Sequence, residues 1–439
     1  MRAIFRREIY AYFCAPHGYV FLGAFVLVMN LFFYFANVVG RSSSIDTAFQ
    51  FMLTVALLTV PVLTMRLFSE EYRRGTDKLL FTAPVPLRAL AMGKFFAALT
   101  MFVIALASTL LWVEIIALFG GFNAAEYIGN LVATLIFASV YIALGLFISA
   151  LCASQTVAMI VSLAVFTALL LADFAVGLMS DSAIVDFLNS FSLFRRFEGF
   201  SRGLFAPGDL VFCASVAAFF LFLTVYALHR RRNGVKGQKI RLLTAFGPAL
   251  AAIIVLNLLV GSLESRFYLK YDMTTAGLFS ITNQTADLLR TLEEPVTITV
   301  LASHSDMSGE VEDEDTGDVY NLTDVKSALE RYVAAGDERF LKLQFLDPDL
   351  NPGWIAAHDL LETAGLYSVV VESERRDRVL YLSDIFEDGT ISLERAISSA
   401  ILNVTLERPP VAVLLSGHGE YELSALPKLA ELSGYEVRL

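Results

Sequence analysis

Residues 416–420 carry the side chains of this sequence that are best suited to binding or catalysis. The segment reads Ser-Gly-His-Gly-Glu and lies between a β-type apolar run and a helical pattern. Glycines allow a tight turn there, and the first turn of the following helix can hold an anion. His418 and Glu420 could bind a ligand, with Gly417 and Gly419 shaping the backbone around it; a tight structural turn is the alternative interpretation. One histidine with one acid is too few for a zinc site, so no metal is predicted.

The acidic run at residues 306–318 is a second candidate, because clustered carboxylates can bind calcium. An EF-hand loop that starts at Asp313 needs glycine at its sixth position and glutamate at its twelfth. Those positions hold Asp318 and Asp324 instead. The run is therefore predicted to be a solvated acidic loop.

Two carboxylates, Glu114 and Asp173, lie inside long apolar runs. Acids inside a membrane commonly mark the path of a substrate or a proton. Each of these two lies only a few residues from the end of its run, where water reaches, and an interfacial position explains them equally well. Neither is assigned a function.

Charge and hydropathy divide the sequence into two unlike halves. Hydrophobic residues make up 56% of the 439 residues, which is too many for one soluble globule. Residues 1–261 hold 19 Lys and Arg against 12 Asp and Glu, a net charge of +7, whereas residues 262–439 hold 14 against 32, a net charge of −18. A basic membrane half is thus joined to an acidic soluble half, and the acidic half argues against nucleic acid as a partner. All three cysteines lie in the first half, so the second half folds without disulfides.

Seven apolar runs are long enough to cross a lipid bilayer as helices. They are predicted at residues 19–39, 48–67, 95–119, 128–151, 157–178, 209–228 and 242–263. When these spans alternate, the most basic segments fall on one side, which the positive-inside rule assigns to the cytoplasm. The N-terminus is then cytoplasmic, and residues 264–439 form an extracytoplasmic domain. Residues 1–18 are predicted to be an amphipathic helix on the membrane surface, and residues 231–241 a basic cytoplasmic linker.

The loop at residues 66–94 joins the second and third spans and has the features of a binding surface. Two pairs of opposite charges stand four residues apart in it, namely Glu70 with Arg74 and Arg73 with Asp77. This spacing suits a short polar helix that ends at Gly75. Three apolar side chains are then expected in water: Leu79, Leu80 and Phe81. An exposed apolar group on a cytoplasmic loop usually has a partner.

Alternating strand and helix patterns in residues 264–439 predict an α/β sheet. Helices are predicted near 283–292, 321–335, 354–364, 392–405 and 422–433. Strands are predicted at 296–302, 340–346, 367–372, 378–383 and 411–416, with a turn at 347–352. The order of the first elements is thioredoxin-like, but this half has no cysteine pair, so redox chemistry is excluded.

The loop at residues 66–94 also carries the pattern E-E-Y-x-x-G-T-x-x-x-L-x-x-A-P-V, followed by G-K-F. It resembles the loop of type-2 ABC exporter permeases that forms the coupling helix and docks on a separate ATPase subunit. The resemblance implies a part in force transfer for Glu70, Glu71, Arg73, Gly75, Thr76, Leu79, Leu80, Thr82, Ala83 and Pro84. The N-terminal amphipathic helix resembles the elbow helix of these permeases, and segments 145–160 and 191–212 resemble signatures of permeases allied to the Gld and Nos systems. The aromatic, basic segment 191–212 is expected to include a helix in the outer headgroup layer. The resemblance covers residues 1–230, with a six-span membrane domain at 19–230.

No segment of this sequence matches a P-loop, so ATP and Mg²⁺ are expected on a separate ATPase polypeptide, with no cofactor in this chain. The chain is predicted not to be an enzyme but the permease of an ABC exporter, acting as a homodimer in a bacterial inner membrane with two ATPase subunits. The alternative is a mechanical anchor in a gliding-motility or surface-assembly system, which passes ATP-driven motion to envelope proteins without transport. A membrane-tethered enzyme that uses His418 and Glu420 is a third interpretation.

The second half resembles the GldG-like auxiliary domain found beside these permeases. The matching residues are Tyr271–Thr274, Phe279–Thr282, the turn at 347–352 and Gly417–Glu420. Met273 and Phe279 depart from the Leu and Tyr of that pattern. The fusion resembles the gliding-motility GldF and GldG pair joined end to end, and the resemblance implies a further stretch of chain after Leu439.

Overall fold

The computed structural model describes most of the chain. The described residues are 1–40, 45–119, 122–177, 192–201, 204–233, 239–267, 271–272, 281–292, 294–303, 307, 310–312, 319–337, 339–348, 350–357, 366–387, 390–391, 393–406, 411–413 and 435–438. They divide into two compact units, one within residues 1–275 and the other within residues 276–439.

The first unit is a bundle of helices. Its α-helices are α1 (Arg2–Cys14), α2 (Pro16–Phe33), α3 (Asp46–Thr64), α4 (Ser69–Arg74), α5 (Asp77–Thr82), α6 (Leu87–Leu106), α7 (Leu110–Phe119), α8 (Ala124–Leu151), α9 (Gln155–Gly177), α10 (Leu193–Ser201), α11 (Pro207–Asn233) and α12 (Lys239–Phe267). A π-helical segment, Tyr34–Val39, extends α2, and a 3₁₀ turn, Ala107–Thr109, joins α6 to α7. Two short strands, β1 (Leu204–Phe205) and β2 (Tyr271–Asp272), pair antiparallel.

Within the described residues, six helical segments are long and apolar enough to cross a membrane. They are Pro16–Val39, Thr47–Arg74, Leu87–Leu118, Ala124–Leu151, Gln155–Asp173 and Pro207–Arg232. These segments coincide with the first six predicted spans, and the chain is a multi-pass membrane protein. α12 covers the predicted seventh span, but its apolar stretch is the shorter segment Leu250–Leu263.

The third span begins earlier than the predicted range of 95–119. α6 starts at Leu87, and its first turn is already buried in the bundle, including Leu87 and Leu90. These apolar contacts extend the helix into a segment that the sequence suggested was loop. The connection between the second and third spans is therefore shorter than residues 66–94, and Lys94 belongs to a helix.

α8 lies at the centre of the bundle and packs against α3, α6, α9 and α11. It approaches α3 closely at Gly145, where an added Cβ would lie 2.3 Å from Oγ1 and 3.0 Å from Cβ of Thr64. Only glycine leaves room for that contact. Elsewhere in the core the indole of Trp112 stacks on Phe33, with ring centroids 4.6 Å apart, and meets Phe49 edge to face at 5.5 Å.

α10 forms in the aromatic, basic segment that resembled a permease signature. One of its faces packs into the bundle, where Phe197 is fully buried with its ring centroid 5.1 Å from that of Phe137. At its end, Ser201 Oγ accepts a hydrogen bond from Gln50 Nε2 at 3.0 Å, and the Ser201 carbonyl accepts one from Asn130 Nδ2 at 3.1 Å. The helix is therefore anchored to α3 and α8 by both apolar and polar contacts.

The second unit mixes strands and helices. Its helices are α13 (Asn283–Arg290), α14 (Leu322–Ala335), α15 (Pro352–Ala357), α16 (Leu382–Ile385) and α17 (Leu393–Thr405). Its strands are β3 (Val296–Val300), β4 (Glu310–Glu312), β5 (Val319–Asn321), β6 (Leu341–Phe345), β7 (Val369–Ser373), β8 (Asp377–Leu380), β9 (Phe386–Glu387), β10 (Thr390–Ile391), β11 (Val411–Val413) and β12 (Glu436–Arg438).

Four of these strands form one mixed sheet in the order β6-β3-β7-β8. β3 runs parallel to β6 and antiparallel to β7, and β8 is antiparallel to β7. The central strands are the most buried, with Ile298, Val300 and Val371 fully buried, and α17 packs on β7 and β8. This sheet, with a helix packed on it, confirms the prediction of an α/β sheet. β11 and β12 pair parallel; β4, which lies within the acidic run at 306–318, pairs antiparallel with β5, which follows that run.

One strand of the second unit ends earlier than predicted. The predicted strand 378–383 stops at Leu380, because the next residues begin α16, where the Tyr381 N–H donates to Asp384 Oδ2 at 3.1 Å. The predicted helix 422–433 lies outside the described residues.

Candidate functional site

The connection between α3 and α6, residues 65–86, is called the α3–α6 loop and folds as two short helices separated by Gly75 and Thr76. α4 ends at Gly75, whose φ of 68° lies in the left-handed region that favours glycine. The Thr76 N–H donates to the Glu71 carbonyl at 3.0 Å and closes the end of the helix. The predicted helix end at Gly75 is confirmed, and α5 follows directly.

A buried charge cluster holds α4 against α1 and α6. The Lys94 side chain, on α6, is only 1% exposed, and its Nζ lies 3.0 Å from Oε1 of Glu8 and 3.0 Å from Oε1 of Glu71. Arg7 Nη2 lies 2.7 Å from each of the same two oxygens. Two cations therefore surround two carboxylates, which is the arrangement that makes buried charge tolerable. The cluster joins α4 and α6 to α1, which is far from both of them in sequence.

The charge state of Glu8 follows from this cluster. Burial by itself would raise the pKa of the Glu8 carboxyl. The ammonium of Lys94 and the guanidinium of Arg7 outweigh that effect, and the pKa of Glu8 is lowered from its ordinary value of 4.5. Glu8 is therefore ionised at neutral pH and can pair with both cations.

α8 supplies a cap for the beginning of α4. Ser149 Oγ accepts hydrogen bonds from the N–H groups of Phe68 at 3.1 Å and Ser69 at 3.3 Å, and it donates to the Met65 carbonyl at 3.0 Å. The first N–H groups of a helix have no partner within that helix. A serine from the central helix of the bundle thus fixes the start of the loop.

A further charge pattern runs along α4. Glu70 pairs with Arg66 at 2.9 Å and with Arg74 at 2.5 Å. The predicted pair of Glu70 with Arg74 is confirmed, and it stabilises the short helix from its exposed side.

The predicted pair of Arg73 with Asp77 is wrong. An ion pair between residues four apart needs one continuous helix, and the left-handed backbone at Gly75 interrupts it. Asp77 Oδ2 instead lies 3.8 Å from Nε of Arg231, near the end of α11. The guanidinium of Arg231 also lies over the ring of Tyr72, 3.5 Å from its centroid.

Leu79 is the apolar side chain that the loop presents to solvent. It is 74% exposed, whereas Leu80 and Phe81 are half-buried and pack against the bundle core. The prediction that all three side chains lie in water is therefore wrong for Leu80 and Phe81. α5 is closed by Thr82, whose Oγ1 donates to the Lys78 carbonyl at 3.1 Å.

The remaining predicted residues of the loop lie at its surface. Arg73, Gly75, Thr76, Thr82 and Pro84 are exposed, and Ala83 is half-buried. Glu70 and Glu71 are half-buried and belong to the charge pairs described above.

Arg7, Glu8 and Lys94 are members of the site that the sequence alone does not indicate. The available signal was Lys94 standing beside a long apolar run, directly after Gly93. Gly93 lets α1 approach α6, since an added Cβ there would lie 3.0 Å from Cγ2 of Ile4. Neither feature tells which acid reaches the lysine.

The structure describes only some of the other candidates from the sequence. The predicted ligand turn, Gly417, His418, Gly419 and Glu420, lies outside the described residues. Glu114 is exposed and Asp173 is half-buried. In the part of the chain that the structure describes, no group of three or more metal-ligating side chains comes together.

Comparison with known families separates the two parts of the chain. Residues 275–388 match a family described as a domain of unknown function, DUF7088. No curated protein and no solved structure matches the chain. Residues 42–229 match the family described as ABC-2 family transporter protein, and this match contains the whole α3–α6 loop. Within the membrane part of the chain, residues 42–229 are therefore similar to ABC-2 family transporter proteins.

Proposed function

We propose that the chain is the membrane permease of an ATP-driven ABC exporter and that its α3–α6 loop docks on a separate ATPase subunit. The observation that carries the proposal is Leu79, which is 74% exposed on a loop that is otherwise fixed to the bundle. An exposed leucine on a fixed loop suits an apolar pocket on a partner protein. The match of residues 42–229 to ABC-2 family transporters supports an ABC ATPase as that partner.

The anchors of the loop support a role in force transfer. Lys94 and Glu8 tie α4 to α6 and α1, and Ser149 ties its beginning to α8. A push on Leu79 would therefore reach several bundle helices instead of being absorbed by a flexible connection. ATP and Mg²⁺ would be bound by the partner, and this chain would contribute the moving membrane part.

The placement of basic residues supports a cytoplasmic position for the loop. The structure brings the end of α11, with its three arginines at 230–232, to the same end of the bundle as the α3–α6 loop. Concentration of Arg and Lys at one end is typical of the cytoplasmic side. We infer an inner-membrane protein with a cytoplasmic N-terminus, acting as a homodimer, with α12 as the seventh span leading to an extracytoplasmic second unit.

The second unit is proposed to be a GldG-like domain of thioredoxin-like topology that binds a substrate or an envelope protein. A parallel pair, β3 with β6, followed by the antiparallel strands β7 and β8 supports that topology. All three cysteines of the sequence lie before residue 262, so a binding role suits the unit better than a redox role. The alternative function, a mechanical anchor, would use the same α3–α6 loop. It differs from export because no substrate would cross the membrane.

The test is co-purification of an ATPase from detergent-solubilised native membranes. The wild-type chain should retain a P-loop ATPase, and Leu79→Asp should lose it. Leu350→Asp is a matched control, because Leu350 is 76% exposed in the second unit. Leu80 is left unchanged because it packs against the core. Retention of the ATPase by Leu79→Asp, or its absence from the wild type, would overturn the proposal.

A further inference from the structure

α11 continues as a helix past the end of its apolar part. The predicted span ends at residue 228, but the helix runs to Asn233 and carries three successive arginines with it. Five more residues lengthen a helix by roughly 7 Å. This extension places Arg231 beside the α3–α6 loop.

Arg231 contacts both short helices of the loop. Its guanidinium carbon lies 3.5 Å from the ring centroid of Tyr72 on α4, and its Nε lies 3.8 Å from Oδ2 of Asp77 on α5. Gly75, whose left-handed backbone ends α4, lies between Tyr72 and Asp77 in sequence. A planar guanidinium can stack on a ring and pair with a carboxylate at the same time, which a lysine ammonium cannot do in the same way.

α11 is also in contact with α12, the last helix of the first unit. It packs along α8 and α12. Asn257 Nδ2 of α12 donates to Ser215 Oγ of α11 at 2.9 Å, a polar contact between two otherwise apolar helices. α11 therefore touches the loop at one end and α12 further along its length.

We propose that Arg231 is a positioning residue that ties the α3–α6 loop to α11, so that displacement of the loop moves α11 and the helix packed on it. This inference rests on the proposed function for the source of the displacement. The Lys94 cluster connects the loop to α1 and α6, whereas Arg231 connects it to the last helix of the transporter domain. Arg231 thus provides a separate route for movement toward α12.

The contact between Arg231 and the α3–α6 loop can be tested without the ATPase. Spin labels are placed at Lys78→Cys on the loop and Arg232→Cys on α11, in a full-length chain whose three cysteines are replaced, in nanodiscs of phosphatidylethanolamine and phosphatidylglycerol. The parent should show a narrow distribution of label distances, and Arg231→Ala should broaden it and shift it to longer distances. Arg230→Ala, which removes the same charge from the neighbouring position, should leave it unchanged. Tyr72→Leu removes the stacking partner from the loop side and should broaden the distribution as well. Unchanged distributions in the folded Arg231→Ala and Tyr72→Leu variants would overturn the tie.

A second label pair tests the transmission of movement. Labels at Leu151→Cys, at the end of α8, and at Arg232→Cys report displacement of α11 within the bundle. In the complex with the co-purified ATPase, ATP and Mg²⁺ should shift this distance in the parent, and Arg231→Ala should lose the shift while keeping the ATPase bound. A shift that persists in Arg231→Ala overturns transmission through Arg231. Absence of any co-purified ATPase counts against the proposed function, and the first label pair still decides whether the tie exists.

Discussion

The ammonium of Lys94 lies 3.0 Å from the carboxylate of Glu71, with the Lys94 side chain only 1% exposed. A charge removed from water to this extent is stable only when opposite charges surround it. Glu8 supplies the second carboxylate from α1. The N-terminal amphipathic helix is therefore held to the same cluster as the α3–α6 loop, and both are fixed to the start of the third span.

Replacing Lys94 by Met should destabilise the protein strongly. The substitution leaves two half-buried carboxylates side by side with only the half-exposed Arg7 to compensate, and breaking a buried ion pair from one side costs about 3–5 kcal/mol. Thermal unfolding of the detergent-solubilised protein measures the loss. Lys78→Met is the matched control, since Lys78 is exposed on the same loop and its loss should be nearly neutral.

The triple variant Glu8→Gln, Glu71→Gln, Lys94→Met separates charge from packing. It removes the buried charges together, so it should recover most of the stability that Lys94→Met loses. Equal melting temperatures for Lys94→Met and Lys78→Met would contradict this description of the cluster.

Gly145→Ala should destabilise the bundle although alanine is the better helix former. The added methyl group would lie 2.3 Å from Thr64 Oγ1, so α3 and α8 must move apart, at a cost of about 1–3 kcal/mol. Gly23→Ala in α2 is the control, because a Cβ there meets nothing within 4 Å. Combining Gly145→Ala with Thr64→Ala should restore part of the loss. A melting temperature for Gly145→Ala at or above that of Gly23→Ala would show that the helices do not approach as described.

Acid should weaken the anchoring of the loop through Glu8. The pKa of Glu8 in the folded protein is lowered below its ordinary value of 4.5, so its contribution to stability is complete above that value. The contribution is lost as the pH falls through the lowered pKa, because the carboxyl must then be protonated. Melting temperatures measured over that acidic range should fall less steeply for Glu8→Gln than for the wild type. Parallel curves for the two proteins would contradict the assignment.

In the second unit, one glutamate accepts two hydrogen bonds at the beginning of α13, and a single substitution should remove both. Glu394 Oε1 accepts hydrogen bonds from the N–H of Thr282 at 2.8 Å and from its Oγ1 at 2.7 Å, at the beginning of α13. Glu394→Ala should cost about 1 kcal/mol locally, because it removes both bonds at a helix cap. Hydrogen exchange followed by mass spectrometry on the full chain should show faster exchange in α13. Exposed Glu374 provides the control, and faster exchange for Glu374→Ala as well would point to a general loosening instead.

Much of the fold was predictable because its signals are local. The length of the apolar runs predicted the six helical segments that could span a membrane. The charge spacing predicted a short helix that ends at Gly75, and α4 ends there. The start of α6 at Leu87 was not predictable in this way, because it depends on contacts of its first turn with the bundle. Similarly, Leu80 and Phe81 looked exposed in sequence, and tertiary packing covers them.

The site was less predictable because its contacts join distant positions. Glu8 and Lys94 are separated by 86 positions in sequence, and Asp77 finds Arg231 instead of the nearby Arg73. Charge spacing along one helix cannot reveal partners on another helix. The sequence pattern of the α3–α6 loop indicated the candidate segment, whereas the structure was needed to show what holds it.

A photo-crosslink from the position of Leu79 tests whether the α3–α6 loop docks on an ATPase. The full chain is expressed in its native host with p-benzoylphenylalanine at position 79, and in a second strain at position 350, and intact cells are irradiated. We predict that position 79 yields an adduct in which mass spectrometry identifies a P-loop ATPase, and that position 350 does not. Absence of an ATPase adduct at position 79 in a folded, membrane-inserted protein, or an equal yield at position 350, would contradict the claim that this loop docks on an ATPase.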